Sequence, residues 1–202
     1  MAISEKLKTF LDGSRVKYTA AKHSTAYTAQ EIAATQHVPG RQLAKCVLVN
    51  SNVGPVLAVL PAIHLIDLKK LKALIGAKRL TIAKESDIKQ RFPDVEVGAM
   101  SPFGDLYQVP VIVDQELGES EEIVFNAGSH TDTIKMRYGD FSALVKPKVG
   151  AFGQLISSPR TGKSKSKSKK GGKTSAAARS KRSRPKTAWR SRTKKSRKPS
   201  RR

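Results

Sequence analysis

The sequence predicts an α/β domain with a mixed sheet over residues 1–157, followed by a basic tail over residues 158–202. Three observations lead to this prediction. Segments with helical periodicity alternate with short runs rich in β-branched residues, which favours an α/β fold. Neighbouring strand-like runs are joined by short turns of the kind that connects antiparallel strands, so the sheet is not a doubly wound parallel one. About 157 residues are enough to bury one hydrophobic core.

Five helices are predicted from apolar residues spaced three or four apart and from capping residues. Ser4 is a plausible N-cap of the first helix, and Thr28 with Glu31 forms a capping-box pattern at the start of the second. Asp67 and Asp140 are the expected N-caps of the third and fifth helices. The predicted helices cover residues 4–11, 28–38, 68–75, 85–91 and 140–145.

Seven strands are predicted from alternating or continuous runs of apolar and β-branched residues. They cover residues 16–19, 43–49, 55–60, 79–83, 109–113, 122–126 and 133–137. The second and third of these strands flank the turn-forming segment 50–54, which predicts a hairpin. Residues 98–104 contain two glycines and a proline, so a loop of fixed shape is expected there.

The charge of the chain is concentrated at its C-terminal end. The net charge is +23, from 39 Lys and Arg against 16 Asp and Glu, and residues 158–202 hold 20 of the basic side chains and no acidic one. The single cysteine, Cys46, excludes an intramolecular disulfide and a multi-thiolate metal site. No apolar run is long enough to cross a bilayer, and the N-terminus does not read as a signal peptide. We therefore expect a soluble cytoplasmic protein without a membrane partner.

The tail consists of Lys/Arg/Ser blocks, interrupted by glycine and proline, with no apolar run to build a core. We expect it to be disordered and to contact phosphates with little base readout, while Trp189 stacks on an exposed base. A tail that only raises solubility is the alternative. We expect the tail to raise the affinity for tRNA, with tethering to DNA or to the ribosome as alternatives. The candidate nucleic-acid-binding residues are Lys169, Lys170, Arg182, Arg184, Trp189, Arg190, Lys194 and Lys195.

Common catalytic motifs are absent from the sequence. It has no P-loop, no GxGxxG opening a helix, no HExxH and no GxSxG. The four histidines lack the spacing of a metal site, so neither a metal nor another cofactor is expected. A nucleophile built from Cys46 and a histidine is possible, but a cysteine inside a strand of Leu and Val is more often a small buried hydrophobe.

Three local features remain as candidates for chemistry. Lys45 begins the apolar strand Cys46-Val-Leu-Val and shares a face with Val47 and Val49, although an edge lysine with its head in water fits the same pattern. The loop 98–104 can present backbone N–H groups to an anion or an ester oxyanion, or it is a plain connection. The polar segment 126–132 follows a strand and forms either a binding corner or a simple turn.

Taken in order, the strand-entry lysine in Leu43-Ala-Lys45, the GxxxP loop Gly98-Ala-Met-Ser-Pro102 and the Asn126-Ala-Gly-Ser-His130 corner resemble the YbaK/ProX family. These proteins are free-standing aminoacyl-tRNA deacylases related to the editing domain of bacterial prolyl-tRNA synthetases. The resemblance covers residues 1–157. It implies a curved, largely antiparallel mixed sheet flanked by helices, and hydrolysis of mischarged aminoacyl-tRNA without a metal.

The resemblance also implies roles for individual residues. Lys45 would hold a phosphate or the ester carbonyl, and the backbone between Gly98 and Pro102 would donate hydrogen bonds to that carbonyl or to the terminal ribose. His130 would line the amino-acid pocket or bind the substrate's amino group. The remaining expected substrate contacts come from Ser101, Asn126 and Gly128.

Two other functions fit the same residues. The domain can be a non-catalytic module that binds tRNA ends or an aminoacyl-tRNA synthetase. Alternatively, the chain can be a DNA- or nucleoid-associated protein that acts through its tail.

Overall fold

The computed structural model describes residues 3–155, which fold around ten strands, five α-helices and two short 3-10 helices. The 3-10 helices cover Gly104–Tyr107 and Gln115–Glu119. The α-helices are α1 (Glu5–Gly13), α2 (Ala29–Thr35), α3 (Leu68–Ile75), α4 (Glu85–Arg91) and α5 (Tyr138–Val145). The strands are β1 (Tyr18–Lys22), β2 (Ala44–Ser51), β3 (Gly54–Pro61), β4 (His64–Ile66), β5 (Leu80–Ile82), β6 (Val111–Asp114), β7 (Glu122–Asn126), β8 (Asp132–Arg137), β9 (Lys148–Gly150) and β10 (Gly153–Leu155).

The strands form a mixed, mostly antiparallel arrangement, as predicted. The largest sheet has the order β5-β2-β3-β6-β9, in which β2 pairs antiparallel with β3 and β5 while β6 lies parallel to β3 and β9. A second, fully antiparallel sheet has the order β1-β8-β7, and β4 pairs antiparallel with β10. A single parallel bridge between Leu43 and Val124 joins the first two sheets where β2 begins.

The five-stranded sheet is buried on both faces, because alternate residues of its strands enter two different clusters. Leu48 packs into the main cluster between the two larger sheets, and Val49 packs into a second cluster against Leu71 of α3. In the main cluster the ring of Phe103 lies 5.5 Å from that of Phe141 in an edge-to-face arrangement. This burial holds β2, and with it Lys45, in a fixed register.

Local signals placed several elements correctly. Strands β2 and β3 form the predicted hairpin, with Ser51 opposite Gly54. The side chain of Thr28 accepts the Glu31 N–H at 3.2 Å, and the Glu31 carboxylate accepts the Thr28 N–H at 3.1 Å, which completes the capping box of α2. Asp67 caps α3 by accepting two backbone N–H groups, and Gly76 ends that helix in the left-handed conformation.

Other boundaries were predicted wrongly. Strand β1 covers Tyr18–Lys22 rather than residues 16–19, because pairing with β8 fixes its register. Helix α2 ends at Thr35 rather than at residue 38, since His37 has a positive φ of 52° and cannot continue the helix. Arg137, not Asp140, is the N-cap of α5, and Asp140 lies in its first turn.

The sequence analysis also missed three strands, β4, β9 and β10, each of only three residues. The acidic segment between β6 and β7 contains the 3-10 helix Gln115–Glu119, and these two strands belong to different sheets.

The predictions for the tail lie outside the described residues. They are the boundary after residue 157, the expected disorder and the eight candidate nucleic-acid-binding residues. No helix within residues 3–155 is both long and apolar enough to cross a membrane.

Candidate active site

A cleft of about 320 Å³ opens where α2, the start of β2, the Gly98 loop and the end of β7 meet. Its lining includes three of the predicted site residues, Lys45, Gly98 and Asn126, together with Tyr27 and Met100. These residues come from four separate parts of the sequence. The parallel bridge beside β2 and the packing of α2 across it bring them together.

Lys45 is half-buried at the cleft wall, and its ammonium donates a hydrogen bond to the backbone oxygen of His64 at 2.6 Å. Burial lowers the pKa of Lys45 from its usual value, because desolvation disfavours the charged form. No carboxylate of residues 3–155 lies within 4.0 Å of this ammonium. Its charge is therefore available to an anion or a polarised carbonyl that enters the cleft.

Cys46 follows Lys45 and is one of the residues that line the cleft, and its partly buried side chain packs against the main hydrophobic cluster. Burial raises the pKa of its thiol, so the thiol stays protonated at neutral pH. This environment matches the interpretation of Cys46 as a small buried hydrophobe and gives it no activating base.

The Gly98 loop presents a glycine with a positive φ at the cleft. Gly98 has a φ of +93°, and a Cβ at this position would lie 3.4 Å from Cε1 of the His130 ring. Neither the Gly98 N–H nor the Met100 N–H donates a hydrogen bond to any other described residue, whereas the intervening Ala99 N–H donates to Glu96. Two backbone donors without a partner among the described residues thus belong to residues that line the cleft.

Four hydrogen bonds join this loop to the corner after β7. The His130 N–H donates to the Glu96 carboxylate at 2.8 Å, and the His130 Nε2 lies 3.0 Å from the Val97 oxygen. The Glu96 N–H donates to the Gly128 oxygen at 2.9 Å, and the Gly128 N–H donates to the Ala99 oxygen at 3.1 Å. Two features that lie some 30 residues apart in the sequence thus form one rigid edge of the site.

The tautomer of His130 follows from its neighbours. A carbonyl oxygen faces Nε2, so this nitrogen carries the proton and Nδ1 is an acceptor. His130 Nδ1 is buried without a hydrogen-bond partner among the described residues, and the same holds for Asn126 Oδ1. Buried polar atoms are normally paired, so these two acceptors beside the cleft are available to a donor from water or from a ligand.

The corner itself is held by Asp132, which accepts hydrogen bonds from Ser129 and Thr131, both at 2.7 Å. Burial acts to raise the pKa of Asp132, but these two hydrogen bonds and nearby positive charge outweigh it, and the pKa is lowered. The segment is thus a hydrogen-bonded turn that also carries site residues.

The other predicted site residues lie away from the cleft surface. Ser101 and Pro102 belong to the buried part of the loop 98–104, and neither lines the cleft. Gly128 has a φ of +104°, and a Cβ there would lie 3.0 Å from that of Ser4, so it serves close packing behind the site. No group of three metal-ligating side chains occurs within residues 3–155.

Tyr27 is the cleft residue that the sequence analysis missed. Its side chain is 72% exposed, and its ring centroid lies 4.8 Å from that of His130. It directly precedes the capping-box residue Thr28, and the Glu31 carboxylate accepts its backbone N–H. The place of Tyr27 directly before the capping box is the sequence signal that could have pointed to it, since a capping box fixes the path of the chain into a helix.

Comparison with known proteins identifies the fold and its family. Residues 23–144, more than half of the chain, match the sequence profile of the aminoacyl-tRNA editing domain. The chain belongs to the aminoacyl-tRNA editing domain family. The predicted resemblance to the YbaK/ProX proteins is thereby confirmed. The matched segment contains Lys45, the GxxxP loop and the Asn126–His130 corner.

Individual relatives share only a small part of their sequence with this chain. An Enterococcus faecalis protein named EbsC, a candidate Cys-tRNA(Pro)/Cys-tRNA(Cys) deacylase, is 30% identical over 97 residues, which are 48% of this chain. The match spans 58% of that relative's length. A solved candidate trans-editing enzyme for prolyl-tRNA synthetase superposes with a TM-score of 0.65 at 19% identity, covering 76% of this chain and 99% of its own. A hypothetical protein, APE2540, superposes with a TM-score of 0.68 at 16% identity, covering 74% of this chain and 100% of its own. Structural likeness at these identities shows the editing-domain fold alone.

Proposed function

We propose that this protein hydrolyses the ester bond of mischarged aminoacyl-tRNA in the cytoplasm. The observation that carries the proposal is the composition of the cleft. It combines a half-buried ammonium without a carboxylate partner, two free backbone donors and two unpaired acceptors, but no activated nucleophile. Membership of the editing family and the name of the E. faecalis relative point to the same chemistry.

An aminoacyl ester fits these groups one by one. Its α-ammonium is a donor that matches the acceptors Asn126 Oδ1 and His130 Nδ1. Its carbonyl oxygen becomes negative in the transition state, and the Gly98 and Met100 N–H groups would stabilise that charge. Lys45 has two N–H groups left for the terminal phosphate or for the carbonyl.

The reaction needs no covalent intermediate with the protein. A water oxygen attacks the ester carbonyl carbon, and the bond between that carbon and the ribose oxygen breaks. The ribose oxygen leaves with one proton of that water, the amino acid leaves as a carboxylate, and the second proton of the water passes to solvent. Because an aminoacyl ester is already activated, a positioned water and a stabilised oxyanion are sufficient for this step.

The amino-acid side chain would lie in the apolar part of the cleft, between Ile32, Leu43 and Met100. A cleft of this size favours a small side chain. The exposed ring of Tyr27 stands at the rim, where the terminal nucleotide would lie, and aromatic rings of this kind stack on bases.

The basic tail would add affinity without adding chemistry. Its Lys and Arg residues neutralise phosphates of tRNA, and the same charges would bind DNA or the ribosome. An aminoacyl-tRNA synthetase is a further partner that fits this role, since such an enzyme releases the mischarged product.

A panel of tRNAs charged with Ala, Cys, Ser, Thr or Pro tests the proposal. We expect the full-length protein to deacylate at least one of them. Lys45→Met should abolish most of that rate, whereas the exposed control Lys69→Met should retain it. Binding of the charged tRNAs without any hydrolysis above the uncatalysed rate would instead identify a non-catalytic tRNA-binding module. Preference for duplex DNA over tRNA in a mobility shift would favour a DNA-associated protein.

A further inference from the structure

The ammonium of Lys45 is held by a residue to which the sequence analysis gave no role. The hydrogen bond from Lys45 Nζ to the His64 backbone oxygen is 2.6 Å long and fixes one of the three N–H groups. Because the described residues place no carboxylate near this nitrogen, the direction of the other two N–H groups depends on where that carbonyl lies.

The side chain of His64 is buried between two carboxylates. It is 1% exposed, with Nε2 at 3.1 Å from the Glu116 carboxylate and Nδ1 at 3.7 Å from that of Asp114. Neither ring nitrogen has the alignment of a hydrogen bond to any described residue. A buried imidazole in such surroundings is an exception to the usual pairing of polar groups and calls for a functional explanation.

The packing around the ring leaves it little freedom to move. A Cβ at Gly153 would lie 2.5 Å from His64 Nδ1, so the ring fills space that only a glycine leaves open. Asp114 in turn accepts the N–H groups of Phe152 at 2.8 Å and Gly153 at 2.6 Å, which fixes both the carboxylate and the strand beside the ring. The ring and the backbone carbonyl of His64 share one Cα, and a fixed ring therefore restricts the carbonyl.

We propose that His64 is a positioning residue for Lys45. Clamped by Asp114, Glu116 and Gly153, it holds its own carbonyl so that the ammonium of Lys45 faces the cleft. This inference rests on the proposed function, in which Lys45 contacts the substrate. It places a residue that supports the site outside the lining of the cleft, on strand β4.

A double-mutant cycle on kcat tests whether His64 and Lys45 act together. His64→Leu removes the polar contacts at similar volume, and His64→Gln keeps an amide that can donate to Glu116. We expect His64→Leu to lower kcat by about 10- to 100-fold, as expected for a misplaced catalytic group, and to change KM less. His64→Gln should stay closer to the wild type. In a Lys45→Arg background, His64→Leu should cause little further loss, whereas fully additive losses would overturn the proposal.

A second measurement reports on Lys45 without any substrate. Competitive acylation of the intact protein, followed by peptide mass spectrometry, gives the labelling rate of Lys45 relative to the exposed Lys69 and Lys70 on α3. Because only the neutral amine is acylated, the labelling is followed over a range of pH, which separates the pKa of each lysine from its accessibility. His64→Leu should raise the pH-independent ratio several-fold, because the amine is released from its half-buried position. An unchanged ratio would overturn the positioning role.

Leu71→Ala is the matched control for lost packing, since Leu71 is fully buried in the second cluster. It should destabilise the fold but leave both kcat and the labelling ratio of Lys45 near the wild type. If it reproduces the effects of His64→Leu, His64 acts through packing alone and the proposal fails. If the wild type hydrolyses none of the charged tRNAs while the labelling ratio responds as expected, the proposed function fails and the positioning of Lys45 stands.

Discussion

Replacing Lys45 by methionine removes one charge from the cleft and keeps an unbranched side chain of similar length. In the proposed complex, two N–H groups of Lys45 remain for the substrate after the bond to His64. A hydrogen bond that involves a charged group contributes about 1.5–3 kcal/mol, so the loss of two costs about 3–6 kcal/mol. At 1.36 kcal/mol for each factor of ten, kcat/KM should fall between about a hundredfold and ten-thousandfold.

The same substitution should not weaken the fold. Burial lowers the pKa of Lys45, so the folded protein binds fewer protons at this site than the unfolded chain does. Stability therefore rises with pH between that lowered pKa and the ordinary lysine value near 10.4, and below this window the charged ammonium carries a net cost. Lys45→Met removes that cost, and we expect its Tm to equal or exceed that of the wild type.

The assay is single-turnover deacylation of the charged-tRNA panel, with circular dichroism and thermal melts on the same preparations. Lys69→Met controls for the loss of one exposed lysine, and it should retain the wild-type rate and Tm. Wild-type turnover in Lys45→Met with unchanged circular dichroism would refute the assignment of Lys45. An equal loss in both variants would show that general charge, and not the cleft ammonium, supports the reaction.

Three further predictions concern the loop, metals and the tail. Gly98→Val should raise the activation barrier by roughly the 2.7–4 kcal/mol that one oxyanion donor provides, because a Cβ strains a φ of +93° and approaches His130. Normal hydrolysis by this variant would show that the loop is a plain connection. Dialysis against a chelator should leave the rate unchanged, and a loss that zinc restores would reveal a metal site. If the tail neutralises about eight phosphates at once, the log–log salt slope of tRNA binding should lie between about −6 and −7. Deleting residues 158–202 should reduce that slope while kcat at saturation stays the same; equal binding by the truncated protein would contradict this.

Elements marked by consecutive residues were predictable from the sequence. The capping box of Thr28 and Glu31, the cap at Asp67 and the left-handed stop at Gly76 each depend on residues within one turn of a helix. The β2–β3 hairpin likewise needs only its turn and two apolar runs. Lys45, the first polar residue of such a run, could therefore be placed at the beginning of a buried strand.

Features that depend on contacts between distant segments were not predictable. Strands of three residues, such as β4 and β10, are too short to show a periodicity, and they exist because they pair with each other. The contact of Lys45 with His64 crosses this unpredicted region. In the same way, the capping box predicts where α2 begins, but the bond of the Ala26 N–H to the His130 oxygen, which joins the segment before Tyr27 to a distant part of the chain, has no local pattern.

Affinity and selectivity lie in different parts of this chain if the proposed function holds. The cleft contacts the amino acid, and one methylene more or less in such a pocket changes the barrier by only about 1–3 kcal/mol. The tail would contact phosphates that every tRNA shares, so it would strengthen the binding of correct and incorrect substrates equally. Uniform binding of this kind lowers KM and leaves the ratio of kcat/KM between two amino acids unchanged. Truncation after residue 157 should therefore preserve the order of the charged-tRNA panel while it weakens every member. A reordered panel would show that the tail senses the tRNA body and contributes to the choice of substrate.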